Sequence, residues 1–283
     1  MKHFVFLFVI LLCLSCNEKT NSQTNEATSN SNVTETSKIT ETKETSDTND
    51  QDDWYWQNTQ MSENNTFESW EQGAVDLVML YRYGNNQNTP KTLEVGSIDE
   101  NGKITINLPE NIQTETKLGN LQNLVFYDIQ DISKFIYTIP EAGYFGKTTI
   151  NVMKDGATIG TLTLGNSVRV TYNLTNQSTL SMGDEGYIIS WIYLDSAARM
   201  QGTEITNNTV RRDGTKPIET ENTVAYDLEY KPGWNLVKTE VIGKYDLKHE
   251  RGLNASWFKK HEHTVISEIP KDANYFFRKQ NDY

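Results

Sequence analysis

Short hydrophobic runs, many of them alternating with polar residues, recur along the chain from about residue 74 to its last residues. Ile104, Ile106 and Leu108 alternate with polar neighbours, for example, which is the period of a half-buried β-strand. Gly and Asn turns separate the runs at intervals of roughly 8–12 residues. The pattern predicts an all-β fold of one or two antiparallel β-sandwiches, with strands at 74–83, 92–98, 103–108, 135–139, 148–153, 158–164, 167–174, 186–194, 200–205, 223–230, 234–242 and 274–278.

Two turns between these runs have the composition of tight hairpin turns. They contain Asn101-Gly102 and Asp155-Gly156, dipeptides that adopt the backbone conformation of a two-residue hairpin. We therefore predict a hairpin at each. The oxygen-rich stretch that begins at Asp99 lacks the spacing of a calcium-binding loop, so we interpret it as a turn as well.

Helical patterns are few and short. Residues 63–71, 118–124 and 254–263 could each form a short helix, but none carries a long amphipathic stripe. A few short helices beside many strands keep the prediction within the all-β class.

The predicted folded part begins near residue 54 and comprises roughly 230 residues, enough for one large β domain or two small ones. In one interpretation, residues 54–134 form an N-terminal β-rich region and residues 135–283 a C-terminal β-sandwich. Because no clear linker separates the two, one continuous domain is the alternative.

The first residues have the pattern of a secretory signal peptide. Lys2 precedes an unbroken apolar run of 11 residues at positions 4–14. A helix that crosses a bilayer needs about 20 apolar residues, so a permanent membrane span is disfavoured at this length. We expect residues 1–15 to be a leader that is removed.

The end of this leader indicates a lipid anchor. Its last residues and the residue that follows, Leu12-Cys13-Leu14-Ser15-Cys16, resemble the lipobox of bacterial lipoproteins, with Cys13 in place of the usual aliphatic residue. The resemblance implies cleavage before Cys16 and diacylation of its thiol, which would anchor the chain to a membrane. An ordinary secretory signal with an incidental cysteine is the alternative. Because Cys13 and Cys16 are the two cysteines of the chain, the folded part can form no disulfide.

Residues 16–53 differ in composition from the rest of the chain. This stretch is rich in Thr, Ser, Asn and acidic residues, and it contains no aromatic residue. It cannot bury enough apolar surface to offset the entropy lost on ordering, so we expect a disordered tether. Its role would be to hold the β domain away from the membrane.

The chain is acidic, with a formal net charge of −12. Nucleic-acid binding requires a basic face, so this balance argues against a nucleic-acid partner. No motif indicates a cofactor, and none is expected.

Two parts of the sequence resemble uncharacterised β-sandwich lipoproteins of the Bacteroidota. The first is the hairpin sequence at 95–109, and the second combines the strands at 191–195, 200–203 and 226–228 with the Gly-Trp-Asn strand at 233–237. The resemblance implies a β-sandwich and an outer-membrane location. The sequence leaves open whether the protein faces the periplasm or the cell surface.

Three histidines near the end of the chain are candidate metal ligands. If the segment is a strand, His261 and His263 project from one face, and His249 could add a third imidazole to bind zinc. The alternative is a solvated loop, in which the neighbouring Lys259 and Lys260 would repel a cation.

Aromatic residues and one serine are the remaining candidate sites. Trp54, Trp56 and Trp257 are candidates for an exposed surface that binds a glycan or a protein, although core packing is the alternative for such residues. Ser196 lies in Asp195-Ser196-Ala197, which matches a short O-glycosylation motif of the same bacterial group.

The sequence contains no Gly-x-Ser-x-Gly nucleophile elbow. The sequence therefore favours a membrane-anchored, non-enzymatic envelope lipoprotein that binds a glycan, a protein or another envelope component. Two alternatives remain open: an envelope hydrolase with an unrecognised pair of carboxylates, and a structural component of an envelope complex.

Overall fold

The computed structural model describes residues 59–81, 91–114, 116–120, 128–176 and 179–280. These residues are mostly in strands, with one α-helix, α1 (Val168–Thr175), and two 3-10 turns at Leu118–Asn120 and Ile132–Lys134. The strands are β1 (Thr59–Met61), β2 (Val75–Tyr81), β3 (Lys91–Ile98), β4 (Ile104–Ile106), β5 (Thr116–Lys117), β6 (Phe135–Tyr137), β7 (Gly143–Lys147), β8 (Ile150–Lys154), β9 (Ala157–Gly165), β10 (Gly186–Leu194), β11 (Ala198–Val210), β12 (Ile218–Tyr230), β13 (Gly233–Lys248), β14 (Asn254–Ile266) and β15 (Asn274–Lys279).

These strands form one large mixed sheet with the hydrogen-bonded order β4-β3-β2-β8-β9-β10-β13-β14-β12-β11-β6. In addition, β15 pairs with β1 and β9, and β7 pairs with β5 and β10. Neighbouring strands are antiparallel, apart from the parallel pair β12 and β14. The all-β class is confirmed. Hydrogen bonding crosses residue 134, because β2 pairs with β8 and β5 pairs with β7.

Strand β10 lies between two hydrophobic cores. Ile188 and Ile192 face the first core, which also contains side chains of α1, β12 and β13. Ile189 and Trp191 face the second core, which is built mainly from β2, β3, β8, β9 and β15. Alternation places successive residues of a strand on opposite faces, so an uninterrupted apolar run can be buried on both.

Two expected elements have the opposite secondary structure. Residues 254–263 form most of strand β14 rather than a helix, because β14 is hydrogen-bonded to β13 on one side and β12 on the other. Conversely, residues 168–175 form α1 rather than a strand. Ser167 caps this helix by accepting a hydrogen bond from the Val170 amide, and Thr171 Oγ1 donates to the Ser167 carbonyl at 3.0 Å.

The other two expected helices are also absent or shorter. Residues 63–66 form a turn closed by a bridge between Glu63 and Thr66, and the segment through residue 71 is irregular. Only Leu118–Asn120 is helical near residue 118, while 121–127 lie outside the described residues. Within the described part of the chain, no helix is long and apolar enough to span a bilayer.

Both hairpin predictions are confirmed. Strands β3 and β4 pair across the turn that contains Gly102, where Asp99 Oδ1 accepts hydrogen bonds from the Asn101 and Lys103 amides. Strands β8 and β9 pair across Asp155 and Gly156, whose φ angles of 51° and 81° are those of a type I′ turn.

Candidate functional site

Strand β14 carries two histidines into the first core. His261 lies opposite Val241, and His263 lies opposite Thr239, both on β13. Both imidazoles are buried, whereas Lys260 and Glu262 point to the other face and form an ion pair at 2.6 Å. The alternation of β14 therefore places the imidazoles inside and this lysine outside.

The two imidazoles meet the carboxylate of Asp128. Asp128 Oδ2 lies 3.0 Å from His261 Nδ1 and 2.9 Å from His263 Nε2, and its Oδ1 accepts a hydrogen bond from the Tyr226 hydroxyl at 2.9 Å. The side chains of Asp128, His261 and His263 are 5%, 3% and 0% exposed. We name Asp128, His261 and His263 the His-Asp cluster.

A second buried carboxylate positions the segment that carries Asp128. Glu204 of β11 is 1% exposed and accepts hydrogen bonds from the backbone amides of Gln130 at 2.7 Å and Asp131 at 2.8 Å. This pair of charge-assisted hydrogen bonds fixes the loop against the sheet. Asp128 is thereby held over β14.

Aromatic and hydroxyl groups fix the orientation of both rings. The His261 ring stacks on Phe258 with centroids 3.7 Å apart, and the His263 ring stacks on Tyr226 with centroids 3.9 Å apart. On the side away from Asp128, His263 Nδ1 lies 2.9 Å from the hydroxyl of Thr239. Each ring therefore has a set orientation before any ligand arrives.

The electrostatics of the cluster favour an ionised Asp128. Burial by itself would raise the pKa of Asp128, but the charge of His263 and the hydrogen bonds from both imidazoles outweigh it and hold that pKa well below its usual range. Burial lowers the pKa of His261, against the opposing influence of Asp128. Burial, reinforced by Asp128, raises the pKa of Tyr226, which keeps the phenol protonated as a donor.

A cavity of about 210 Å³ adjoins the cluster. Its wall combines apolar side chains with amides and charged groups, the mixture typical of small-molecule sites. The lining residues are Asp128, Ile129, Gln130, Leu174, Met182, Thr206, Asn208, Arg212, Asn222, Val224, Trp257, Phe258 and His261.

Among the β14 residues in this wall, Trp257 lies furthest along the strand from His263, and Arg212 packs against it. The Arg212 guanidinium lies over the Trp257 ring, with Cζ 5.4 Å from the ring centroid, and it donates a hydrogen bond to the Thr179 carbonyl. Trp257 Nε1 is buried and has no hydrogen-bond partner among the described residues. A buried donor of this kind is an exception that calls for an acceptor.

Phe258 and His261 line one cavity although they are three residues apart on β14. Residues three apart on a regular strand face opposite sides of the sheet. Here Gly243 adopts a φ of 68°, and the pairing is interrupted between Ile242–Lys260 and Lys244–Phe258. On either side of this interruption, residues of opposite parity, Phe258 and His261, both face the cavity.

His249 does not join the cluster. It follows the last residue of β13, eight positions beyond the partner of His261, which corresponds to roughly 26 Å along a strand. It packs beside Gly214, and its Nδ1 accepts a hydrogen bond from the Arg251 amide at 3.0 Å. Asp128 is therefore the third group beside His261 and His263.

The other candidate residues lie apart from the cavity or outside the described residues. Ser196 lies in the turn after β10, and its hydroxyl donates to Asp195 Oδ1 at 2.9 Å. Cys16, Trp54 and Trp56 lie outside the described residues. Trp257 is thus the predicted ligand-binding aromatic that the structure places beside a predicted metal ligand.

Carboxylates also line a second, more open cleft of about 580 Å³. Asp184 accepts a hydrogen bond from Arg169 of α1 at 2.7 Å, and Glu185 accepts one from the Gly243 amide at 2.8 Å. Asp246 pairs with Lys244 at 3.3 Å. Each of these three carboxylates therefore has a hydrogen-bond or ion-pair partner within the fold.

Asp128 and Arg212 are two of the site residues that sequence reasoning missed. Asp128 is 133 residues from His261 along the chain, and no local motif marks it. The two-residue spacing of His261 and His263 was the sequence signal that identified the histidines of the cluster.

Comparison with known proteins gives no relative. No family model matches the chain, and no curated protein or solved structure matches it significantly. The site must therefore be interpreted from its own geometry.

Proposed function

We propose that this chain is a lipid-anchored protein of the bacterial envelope whose folded part binds a small polar ligand, such as one sugar unit of an envelope glycan. The observation that carries the proposal is the cavity of about 210 Å³ beside the His-Asp cluster. Its wall contains the indole N–H of Trp257, which has no hydrogen-bond partner in the described part of the chain. The protein acts by binding rather than by catalysis.

The groups in the wall define the class of ligand. Arg212 and Trp257 Nε1 are donors, while Asn208, Asn222 and Gln130 have amide groups that can both donate and accept. Leu174, Met182 and Val224 supply an apolar floor. A hydroxylated ring with one acidic or acetylated substituent matches this combination of donors, amides and apolar contacts.

The anchor is proposed from the sequence. The apolar leader and Cys16 support lipidation, and the polar stretch of residues 16–53 supports a tether between membrane and domain. Resemblance to Bacteroidota lipoproteins supports the outer membrane as the location.

Binding is tested by isothermal titration of the full chain, purified in detergent, with a panel of monosaccharides that includes N-acetylated amino sugars and uronic acids. We expect saturable one-to-one binding of at least one member. Trp257→Phe removes the indole N–H and should weaken binding about 5–150-fold, which corresponds to about 1–3 kcal/mol for a buried ligand group left without its donor. His249→Gln, outside the cavity, is the matched control and should bind as wild type does.

Failure of every sugar to bind a folded wild-type chain would exclude the sugar assignment. Equal binding by wild type and the Trp257 variant would place the site elsewhere. Appearance of a cleaved product on incubation with envelope glycan oligomers would favour the hydrolase alternative.

The anchor has its own test. Intact-mass analysis of protein isolated from its own membranes should give a chain that begins at a diacylated or triacylated Cys16. A Cys16→Ala variant should lose membrane association. An unlipidated wild-type chain released to the medium would contradict the anchor without bearing on the cavity.

A further inference from the structure

We propose that the His-Asp cluster is a binding site for one divalent first-row transition-metal ion, such as Zn²⁺, held by Asp128 Oδ2, His261 Nδ1 and His263 Nε2. These three atoms lie within 4.8 Å of one another. The inference does not depend on the sugar assignment, because an ion could bind with the rest of the cavity filled by water.

The distances within the cluster suit ligation as well as hydrogen bonding. Two ligand atoms about 2.05 Å from one ion and 90–94° apart are separated by about 2.9–3.0 Å. Asp128 Oδ2 lies at these separations, 2.9 Å and 3.0 Å, from the two imidazole nitrogens. The two nitrogens would need to close by at most about 1.5 Å to reach the roughly 3.3 Å separation of tetrahedral ligands.

Partners of the three ligands have the arrangement of an outer shell. Tyr226 holds Asp128 Oδ1 and leaves Oδ2 directed at the imidazoles, and Thr239 holds the far nitrogen of His263. Such contacts fix ring orientation at metal sites. Thr239 can either donate to or accept from His263 Nδ1, so the imidazole can move its proton to Nδ1 and use Nε2 to bind the ion.

Charge favours a cation at this position. In the described part of the chain, the ion-pair partners of Asp128 are His261 and His263. An imidazole must be neutral to bind a metal ion, so the three ligands would present one buried negative charge to the ion, and such a charge is unfavourable unless compensated. A divalent ion would supply that compensation without displacing Lys260, which pairs with Glu262 on the opposite face.

The ligand set determines the class of ion. Two imidazole nitrogens and one carboxylate oxygen suit Zn²⁺, Co²⁺ or Fe²⁺, whereas Ca²⁺ and Mg²⁺ prefer oxygen ligands. Three protein ligands leave at least one coordination position. Because Asp128 and His261 also line the cavity, that position would face it.

The test is a titration of the EDTA-treated and then dialysed full chain with Zn²⁺ by calorimetry, and with Co²⁺ by visible absorption, with no sugar present. We expect one equivalent of either ion and Co²⁺ d–d bands of a nitrogen and oxygen site. His263→Gln and Asp128→Asn should each weaken Zn²⁺ binding at least 100-fold. Thr239→Val should weaken it about 10–100-fold, as expected for a lost outer-shell contact.

His249→Gln is the matched control and should retain the wild-type affinity. Circular dichroism and a cooperative unfolding transition establish that each variant is folded, and Asp128→Asn keeps the shape of the side chain for this reason. A folded wild-type chain that binds neither Zn²⁺ nor Co²⁺ would overturn the inference, and so would wild-type affinity in both ligand variants. Sugar titrations in EDTA test the proposed function separately.

Discussion

Replacing Asp128 with alanine tests the His-Asp cluster as a structural unit. In the metal-free protein, the carboxylate accepts from Tyr226, His261 and His263 at 2.9–3.0 Å. The alanine variant leaves all three donors in a buried region without this acceptor. At about 1–3 kcal/mol for each orphaned group, the total cost would be about 3–9 kcal/mol.

The adjoining cavity reduces this cost. Water that enters the cavity can reach some of the orphaned donors, because the site is polar and roomy enough to hold it. We therefore expect Asp128→Ala to lower the free energy of unfolding by an amount at the lower end of this range, about 3–5 kcal/mol. This is the value typical of removing one partner from a buried charged pair. Asp128→Asn retains one carbonyl acceptor and should lose less, about 1–2 kcal/mol.

The assay is urea unfolding of the full chain in EDTA at pH 7.5, followed by tryptophan fluorescence. The urea concentration at the unfolding midpoint should fall, while the slope of the free energy of unfolding against urea concentration stays unchanged. An unchanged slope distinguishes a loss of stability from a change in the unfolded state. A loss below about 0.5 kcal/mol in Asp128→Ala, the range of ordinary surface substitutions, would refute the cluster as the solution structure.

Four further substitutions test the fold and the surroundings of the cluster in the same unfolding assay. Ile192→Ala, on the doubly buried β10, should cost about 2–5 kcal/mol, and a loss below 1 kcal/mol would contradict its burial at 1% exposure. Gly96→Ala should cost more than about 2 kcal/mol, because its φ is 148° and a Cβ would lie 2.0 Å from the Thr105 carbonyl oxygen; a neutral result would argue against the β3–β4 pairing. Thr239→Val should cost about 1–3 kcal/mol, because it removes the hydrogen bond to His263. His249→Gln should change the free energy of unfolding by no more than about 0.5 kcal/mol. Equal effects of these two substitutions would contradict the separate placement of His249 and His263.

The sequence predicted the strands whose signals are local. The apolar run 186–194 coincides with β10, and the turns at Gly102 and Gly156 define two hairpins, because conformation at these positions depends on a few adjacent residues. The prediction interchanged helix and strand in two segments where contacts with other parts of the fold determine the secondary structure. Strand β14 is hydrogen-bonded on one side to β13, which directly precedes it, and on the other to β12, which lies further back in the chain, and these bonds outweigh local preference.

The site was predictable only in part. Because His261 and His263 are two residues apart, they were predicted to share one face if the segment is a strand. Asp128 could not be found this way, because it reaches the histidines through the anchoring of its loop by Glu204. Trp257 was identified as a candidate aromatic, but the cavity that it shares with His261 is also lined by residues distant in sequence, such as Asp128 and Arg212, which no local pattern brings together.

The most direct measurement for the cavity as a binding site is native mass spectrometry of the full chain isolated from its own membranes, beside a Trp257→Ala variant. We predict a one-to-one non-covalent adduct of a small organic molecule on wild type, lost from the folded variant. The same adduct on both proteins, or none on wild type after saturation with the sugar panel, would contradict ligand binding in this cavity.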